Sequence, residues 1–197
     1  MDNDQLVTAI RKRAADTSKR TDCADIECPE LGALASPEVV LEAQRAMGCI
    51  LHPLHRRLFE EVANGGFGPG YGLIGLPGGT LDGEGRSLVE LREILWIDSE
   101  TPMPDPVVPL CDWGCAIWSC LDSETGAVLT MDEYGLKDIG QSFQSWLEDW
   151  VSGVNLWSGR IVYEERTGIN PFTKQPMKAQ VAVGTVGTPY IPRQRMN

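Results

Sequence analysis

The chain has 197 residues, of which 42% are hydrophobic, and this composition predicts one folded domain with a substantial core rather than a disordered chain. Its formal net charge of −11 disfavours nucleic-acid binding, and the absence of an apolar run near the roughly 20 residues of a membrane span disfavours insertion. The first residues also lack the apolar stretch of a secretory signal, so we expect a cytoplasmic protein.

Helix signals fill the first part of the chain. A polar N-terminal segment with one apolar side predicts a helix, followed by a connector that runs to residue 35. Ser36 and Pro37 are typical of a helix start, and Gly48 is typical of its end. Pro53 begins a further helix, which we expect to end in a glycine-rich turn.

This turn leads into an apolar segment, residues 71–76, that we interpret as a strand. Phosphate-binding loops run in the opposite order, from strand through glycines into a helix, and no Gly-Lys-Ser/Thr follows here. We therefore predict that the turn shapes the fold and does not bind a ligand. Its defining residues are Asn64, Gly65, Gly66, Gly70 and Gly72.

The second half predicts a helix after Ser87, strands over 107–111, 115–121 and 127–131, and a turn over 122–126. A last helix begins at Ser142, and its apolar stripe places Trp146 and Trp150 in the core. Hairpin-linked strands flanked by helices predict an α+β fold, a single domain with a twisted, largely antiparallel sheet packed by several helices. We divide the chain into an N-terminal helix and connector (1–35), a core domain (36–153) and a C-terminal extension (154–197). This extension, with strand-like segments over 161–163 and 180–186, either adds edge strands to the sheet or wraps it.

The acidic residues are concentrated in one part of the chain. Between Asp82 and Asp149 there are 15 acidic and three basic residues, whereas the rest of the chain has 13 acidic and 14 basic ones. Such a surface attracts a basic partner, and the simpler interpretation is a solvated face that keeps the protein soluble.

The six cysteines do not have the C-x2-C spacing of zinc ribbons, and disulfides are not expected in the cytosol. We therefore predict buried free thiols and no metal or other cofactor. A metal site built from Cys23, Cys28 and Cys49 with His52 or His55 stays open as an alternative.

Three blocks of the sequence resemble the SMI1/KNR4, or SUKH, superfamily: a helix that ends in Asn-Gly-Gly, a later Pro-x-x-Asp-x-Gly strand pair, and a closing helix with tryptophans. The matching positions are Asn64, Gly65, Gly66, Gly70, Gly72, Pro109, Asp112, Gly114, Asp122, Trp146, Leu147 and Trp150. The resemblance covers about residues 36–153. It implies a bacterial immunity protein that binds and neutralises a cognate polymorphic toxin, often a nuclease. Other members of the superfamily are interaction or regulatory modules, so a non-enzymatic scaffold is the alternative function.

Candidate contact residues lie in the turns between the predicted strands. Asp112 either contacts the partner or bonds its own backbone in an Asx turn. Trp113 and Trp118 are candidate exposed hot spots. Asp122 and Glu124, in the next turn, are expected near Asp112 in space, and either contact the partner or are solvated. No GxSxG or HExxH motif is present, so we predict no enzymatic activity.

Overall fold

The computed structural model describes residues 1–22, 28–97, 104–169, 172 and 174–191, with residues 96–97 and 179–183 described by their backbone alone. The helices within these residues are α1 (Asn3–Ala15), α2 (Pro37–Met47), α3 (Pro53–Glu61), α4 (Leu88–Ile97) and α5 (Phe143–Val151). The strands are β1 (Val107–Asp112), β2 (Trp118–Asp122), β3 (Ala127–Asp132), β4 (Gly135–Ser142), β5 (Ile161–Ile169), β6 (Pro176–Thr185) and β7 (Thr188–Pro189). None of the helices in this part of the chain has the length and apolar character needed to cross a bilayer.

Side-chain caps begin α2 and α4 at the positions that the sequence indicates. The Ser36 hydroxyl accepts a hydrogen bond from the Val39 amide at 3.4 Å, and Gly48 ends α2 in the left-handed conformation. Before α4, the Glu90 carboxylate accepts hydrogen bonds from the Ser87 amide and hydroxyl at 2.8 and 2.7 Å. These bonds pair amides that the first helical turn leaves without an intrahelical acceptor, which fixes where each helix starts.

Five strands form one antiparallel sheet in the order β1-β2-β3-β4-β7, and the expected α+β class is confirmed. In the β1–β2 pair, Val107 lies opposite Asp122 and Asp112 lies opposite Trp118. The two carboxylates are therefore at opposite ends of the hairpin.

One hydrophobic core joins the sheet to the helices. The helix α1 packs against α5 and α3, and its Leu6 and Ile10 side chains are fully buried. Trp146 and Trp150 of α5 are also fully buried, as the helical stripe predicted. The N-terminal helix thus contributes to the same core as the sheet.

The expected strand over residues 71–76 is not a regular strand. This segment lies beside the edge of β1, where the Tyr71 amide donates to the Asp112 carbonyl and the Ile74 amide donates to the Leu110 carbonyl, both at 3.0 Å. Between these two bonds the segment folds back on the glycine turn, because the Leu73 amide donates to Phe67 instead. It therefore covers the sheet edge without extending the sheet.

Two further differences concern the strands after residue 112. The strand β2 begins at Trp118 and not at residue 115, because Gly114, Cys115 and Ala116 all have left-handed backbone conformations that interrupt pairing. The strand β4 was not predicted at all. In the extension, β7 pairs with β4 and adds an edge strand, whereas β5 and β6 pair with each other in a separate two-stranded ribbon.

Candidate partner-binding site

The glycine-rich turn is held in place by the buried side chain of Asn64. Its Oδ1 accepts a hydrogen bond from the Leu76 amide at 2.8 Å, and its Nδ2 donates to the Leu76 carbonyl at 3.3 Å. The backbone carbonyl of Asn64 also accepts from the Thr80 amide at 2.8 Å. One residue therefore connects the end of the α3 segment to the loop that follows residue 76.

The glycines of this turn allow close backbone contacts. Gly65 and Gly66 have φ values of 87° and 86°, and a Cβ on Gly65 would lie 2.6 Å from the Gly75 nitrogen. A Cβ on Gly70 would lie 2.5 Å from the Asp112 carbonyl oxygen, so this glycine lets the turn lie directly against the end of β1. Gly72 is also left-handed, with φ of 99°.

The turn amides are used within the fold. The Gly66 amide donates to Leu73 at 2.9 Å, the Gly68 amide to Arg20 at 2.8 Å, and the Leu73 amide to Phe67 at 2.7 Å. Because these N–H groups already have acceptors, they do not form an anion cradle. The geometry agrees with an architectural role for the turn.

A cavity of about 330 Å³, which we call the acidic pocket, opens between the glycine turn and the loop over residues 80–83. Its walls are mostly apolar, and its two charged residues are Asp82 and Asp112. The full lining consists of Thr21, Pro29, Tyr71, Gly72, Leu73, Ile74, Thr80, Leu81, Asp82, Gly83 and Asp112.

The half-buried carboxylate of Asp112 is the chemically distinctive group of this pocket. Its Oδ1 accepts a hydrogen bond from the Gly114 amide at 2.6 Å, which is the Asx turn that the sequence suggested. Burial raises the pKa of Asp112 and the charge of Asp82 raises it further, whereas the hydrogen bonds from the Gly114 and Trp113 amides and the charge of Arg86 act in the opposite direction. A cation beside this carboxylate would offset both the burial and the repulsion.

Asp82 differs from Asp112 because it already has a cationic partner. Its Oδ2 lies 2.8 Å from both Nε and Nη2 of Arg86, and its Oδ1 accepts from the Glu84 and Arg86 amides. These bonds hold the loop beside Asp112 in a fixed conformation. They leave Asp112 as the pocket carboxylate that a ligand cation would approach.

Trp113 does not line the acidic pocket but lines a second cavity of about 350 Å³. Its indole Nε1 donates to the Ser119 hydroxyl at 2.9 Å, and its ring stacks on Trp157 with 5.1 Å between centroids. Trp113 is half-buried in this arrangement.

Asp22 lines the same second cavity. Burial raises the pKa of the Asp22 carboxyl to about 6, while Arg13, with Nη2 3.8 Å away, acts in the opposite direction. The Arg13 guanidinium also lies 4.7 Å from the ring centroid of Trp150, so part of its charge is directed at the indole. The Asp22 charge is therefore only partly compensated.

We expect the Asp22→Asn variant to be more stable than the wild type at pH 7. A carboxyl with a raised folded pKa stabilises the fold when protonated, and this contribution is lost as the pH rises through about 6. Because Asp22 is partly exposed and solvent screens its charge, removing the charge should gain only about 1 kcal/mol at pH 7, and nothing near pH 4. Urea denaturation at both pH values measures this difference.

The Asp16→Asn variant is the matched control, because hydrogen bonds from Ser18 and Lys19 lower the pKa of Asp16 to about 2. Its replacement should lower stability at pH 7. If Asp22→Asn is less stable than the wild type at pH 7, the interpretation that the Asp22 charge destabilises the fold is wrong.

Two of the predicted contact residues are not at the surface. Trp118 is only 7% exposed and packs in the core, so its prediction as an exposed hot spot is wrong. Asp122 is 3% exposed and is neither solvated nor available to a partner. Its Oδ1 accepts from the Glu124 and Thr125 amides, and its Oδ2 accepts from the Tyr190 hydroxyl at 2.8 Å.

The predicted proximity of Asp112 to Asp122 and Glu124 is also wrong. Asp112 lies opposite Trp118, and Asp122 follows Trp118 by four residues along β2. At about 3.3 Å per residue, Asp112 and Asp122 are therefore about 13 Å apart along the hairpin. Glu124 is exposed, but it follows Asp122 at the far end of the hairpin. The structure therefore groups Asp112 with Trp113, and separates both from Glu124.

The proposed alternative metal site cannot be assembled from the described residues. Cys23 lies outside them, and within them no three His, Cys, Asp or Glu side chains are grouped to hold a metal ion. Cys49, Cys111 and Cys120 are buried free thiols, whereas Cys115 is exposed in the left-handed turn before β2.

Sequence reasoning did not identify Asp22, Asp82, Trp157 or Tyr190 as neighbours of the candidate residues. The sequence Asp-Gly-Glu-Gly after Leu81 is typical of an Asx turn, so the turn at Asp82 could have been predicted from the sequence. The other three come from distant parts of the chain, and their contacts depend on the tertiary fold.

Comparison with known proteins does not add a relative. No protein-family model, curated protein or solved structure matches the chain.

Proposed function

We propose that the protein is a cytoplasmic, non-enzymatic immunity protein that binds a basic toxin, of the nuclease type, and uses no cofactor. The observation that supports this best is the half-buried Asp112 carboxylate in the acidic pocket, where burial and Asp82 make its charge unfavourable. A lysine or arginine side chain of the partner would pair directly with this carboxylate, whereas Arg86, which is bonded to Asp82, has only the smallest effect on its pKa.

The shape and chemistry of the pocket suit an arginine side chain in particular. The apolar side chains of Leu73, Ile74 and Leu81 line the pocket and can contact an aliphatic stem. The planar guanidinium group then pairs with Asp112, because its forked donors match a carboxylate better than an ammonium group does. Such a contact gives specificity as well as attraction.

The part of the chain between Asp82 and Asp149, which we call the acidic segment, has only three basic residues, and all three are used in internal contacts. Arg86 pairs with Asp82 and Glu84, and Lys137 pairs with Asp132 at 2.8 Å. Arg92 donates to the backbone carbonyls of Met47, Val107 and Asp105. A basic partner would therefore be attracted over the whole segment and then positioned by the pocket.

The Asp112→Asn substitution tests the pocket. Asparagine keeps an oxygen for the Gly114 amide, so the turn should survive while the charge is lost. We expect partner binding to weaken by about 2 kcal/mol or more, roughly 30-fold in Kd, with a melting temperature at least as high as that of the wild type, because the lost charge is unfavourable in the fold. Glu124→Gln, which removes an exposed charge at the far end of the hairpin, is the matched control and should change Kd little.

The partner itself can be obtained by affinity capture from the source cells at low salt, followed by mass spectrometry. We expect one basic protein, released by high salt, whose toxicity on expression is relieved by co-expression of this chain. Capture of a non-toxic partner whose binding ignores both Asp112→Asn and salt would instead favour the scaffold function.

A further inference from the structure

A groove of about 920 Å³, which we call the α2–α3 groove, is formed by α2, the start of α3 and the turn between β2 and β3. Its volume lies in the range of roughly 300–1,000 Å³ that small-molecule sites occupy. Leu41 and Ile50, which are 45% and 79% exposed, line it. Together with them, its apolar surface comes from Leu51, Pro53 and Pro106. The groove therefore offers a wide apolar wall to a small ligand.

Hydrogen bonds across the groove hold its walls in place. The Gln44 side-chain oxygen accepts from the Leu51 amide at 2.9 Å, which joins α2 to the segment before α3. The Ser123 amide donates to the Pro106 carbonyl at 2.8 Å, which joins the turn after β2 to the segment before β1. Because the fold already fixes these walls, little conformational freedom is lost when a ligand binds between them.

The hydroxyl of Ser123 is a buried polar group that needs an explanation. Ser123 lines the groove and is only 7% exposed, and its Oγ has no hydrogen-bond partner among the described residues. Buried side-chain hydroxyls in folded proteins normally have a partner, because the loss of water is otherwise uncompensated. An oxygen atom of a ligand in the groove would accept the hydrogen bond of this hydroxyl.

The start of α3 adds further donors. Pro53, the first residue of the helix, lines the groove, and no side chain caps the helix. Leu54 and His55 are buried, and their amides have no acceptor within the part of the chain that the structure describes. A buried helix start without a cap is unusual, and its free N–H groups and dipole favour a negatively charged group.

Arg45 supplies a positive charge on the α2 side of the groove. Its guanidinium makes no ion pair or hydrogen bond with another described residue. The other arginine of the groove, Arg56, is paired with Glu60 at 2.9 Å, and the groove acid Glu124 has an interaction of its own within the protein. Among the described residues of the groove, Arg45 is therefore the charged group that is available to a ligand.

We propose that the α2–α3 groove binds a small carboxylate with an apolar tail, of the medium-chain fatty acid type. The Ser123 hydroxyl, the first amides of α3 and the Arg45 guanidinium can all donate hydrogen bonds, and a carboxylate accepts them while pairing with the arginine. The apolar tail covers Leu41 and Ile50, which are otherwise exposed to water. This ligand satisfies the apolar and the polar parts of the groove together.

The site is independent of the proposed function. The described residues that line the α2–α3 groove and those that line the acidic pocket have no member in common. Loss of toxin binding in Asp112→Asn and loss of carboxylate binding in groove variants are therefore separate results.

Titration of the full-length protein with octanoate, followed by ¹H–¹⁵N NMR, tests the site. We expect saturable shifts of the Leu54 and His55 amide signals, with a Kd on the order of 0.1 mM. The uncharged analogue 1-octanol has the same chain length and should bind at least about tenfold more weakly, because it cannot pair with an arginine. Shifts that do not saturate, or equal affinities for the two compounds, would overturn the proposal.

Two variants at exposed positions test the groove residues without disturbing the core. Arg45→Gln removes the cation, and Ile50→Glu places a negative charge on the apolar wall, so each should weaken octanoate binding by about fivefold or more at an unchanged melting temperature. Lys12→Gln, which removes an exposed charge of α1 outside the groove, is the matched control and should bind octanoate like the wild type. Wild-type affinity in Arg45→Gln or in Ile50→Glu would show that the carboxylate does not bind in this groove.

Discussion

Asn64→Ala should destabilise the protein by about 3–5 kcal/mol, because it leaves both the amide and the carbonyl of Leu76 without their partner in a buried environment. Asn64 is 2% exposed, so water cannot replace the lost hydrogen bonds without opening the turn. Equilibrium denaturation by urea measures the change in the free energy of unfolding.

Asn155→Ala provides the matched control on the same residue type. The Asn155 side chain accepts hydrogen bonds from the amides of Trp157 and Ser158 at 3.0 Å, but it is exposed to solvent. Water can solvate those amides, so the loss should stay near or below about 1 kcal/mol. Equal losses in the two variants would contradict a special role for Asn64.

Stability should fall steeply in acid because of His55. This side chain is fully buried, and burial lowers its pKa to about 3, with a further lowering by the charge of His52. Between pH 6.5 and 3 the unfolded chain binds a proton at this residue and the folded chain does not, so stability decreases as the pH falls. The expected loss over this interval is about 4 kcal/mol.

The packing of His55 explains why it stays neutral. Its ring lies against Phe59, with 4.6 Å between centroids, and meets Phe143 at an angle of 68°, and neither ring nitrogen has a hydrogen-bond partner among the described residues. An imidazolium there would have neither water nor an acceptor.

The comparison of His55→Leu with the wild type separates this effect from the titration of carboxyl groups. The difference in unfolding free energy between the two proteins should change by about 1.4 kcal/mol per pH unit between pH 6 and 3.5. His52→Gln, at a half-buried position, is the control and should change with a smaller slope. A constant difference between His55→Leu and the wild type would contradict the buried neutral state.

Features of the fold that depend on residues close together in the sequence could be predicted, whereas features that depend on contacts between distant residues could not. The ends of α2 and α5 could be predicted because Ser36, Gly48 and Ser142 act on neighbouring amides. The strand β4 could not, because its sequence GLKDIGQS lacks an apolar alternation and its conformation depends on pairing with β3. The same limit explains residues 71–76, whose apolar pattern is strand-like although the preceding turn directs their hydrogen bonds elsewhere.

The candidate site was predicted only in part for the same reason. Asp112 was identified from its position between strands, and its Asx turn is a local feature. The pKa of Asp112 also depends on the charge of Asp82, which lies in the loop held by the hydrogen bond between Thr80 and Asn64. No local sequence pattern indicates that Asp82 and Asp112 lie close together. Trp118 was misplaced because a tryptophan that begins a strand has the same sequence pattern whether it faces the core or the solvent.

The ribbon of β5 and β6 is attached to the body at both of its ends. Arg160, just before β5, donates a hydrogen bond to the Gln141 side chain at 2.9 Å, and the Thr185 hydroxyl, at the end of β6, donates to the Asp132 carboxylate at 2.7 Å. Because both ends are fixed in this way and β5 is almost entirely exposed, substitutions between these two attachments should leave the packed core undisturbed. The ribbon should therefore accept sequence changes that the body does not.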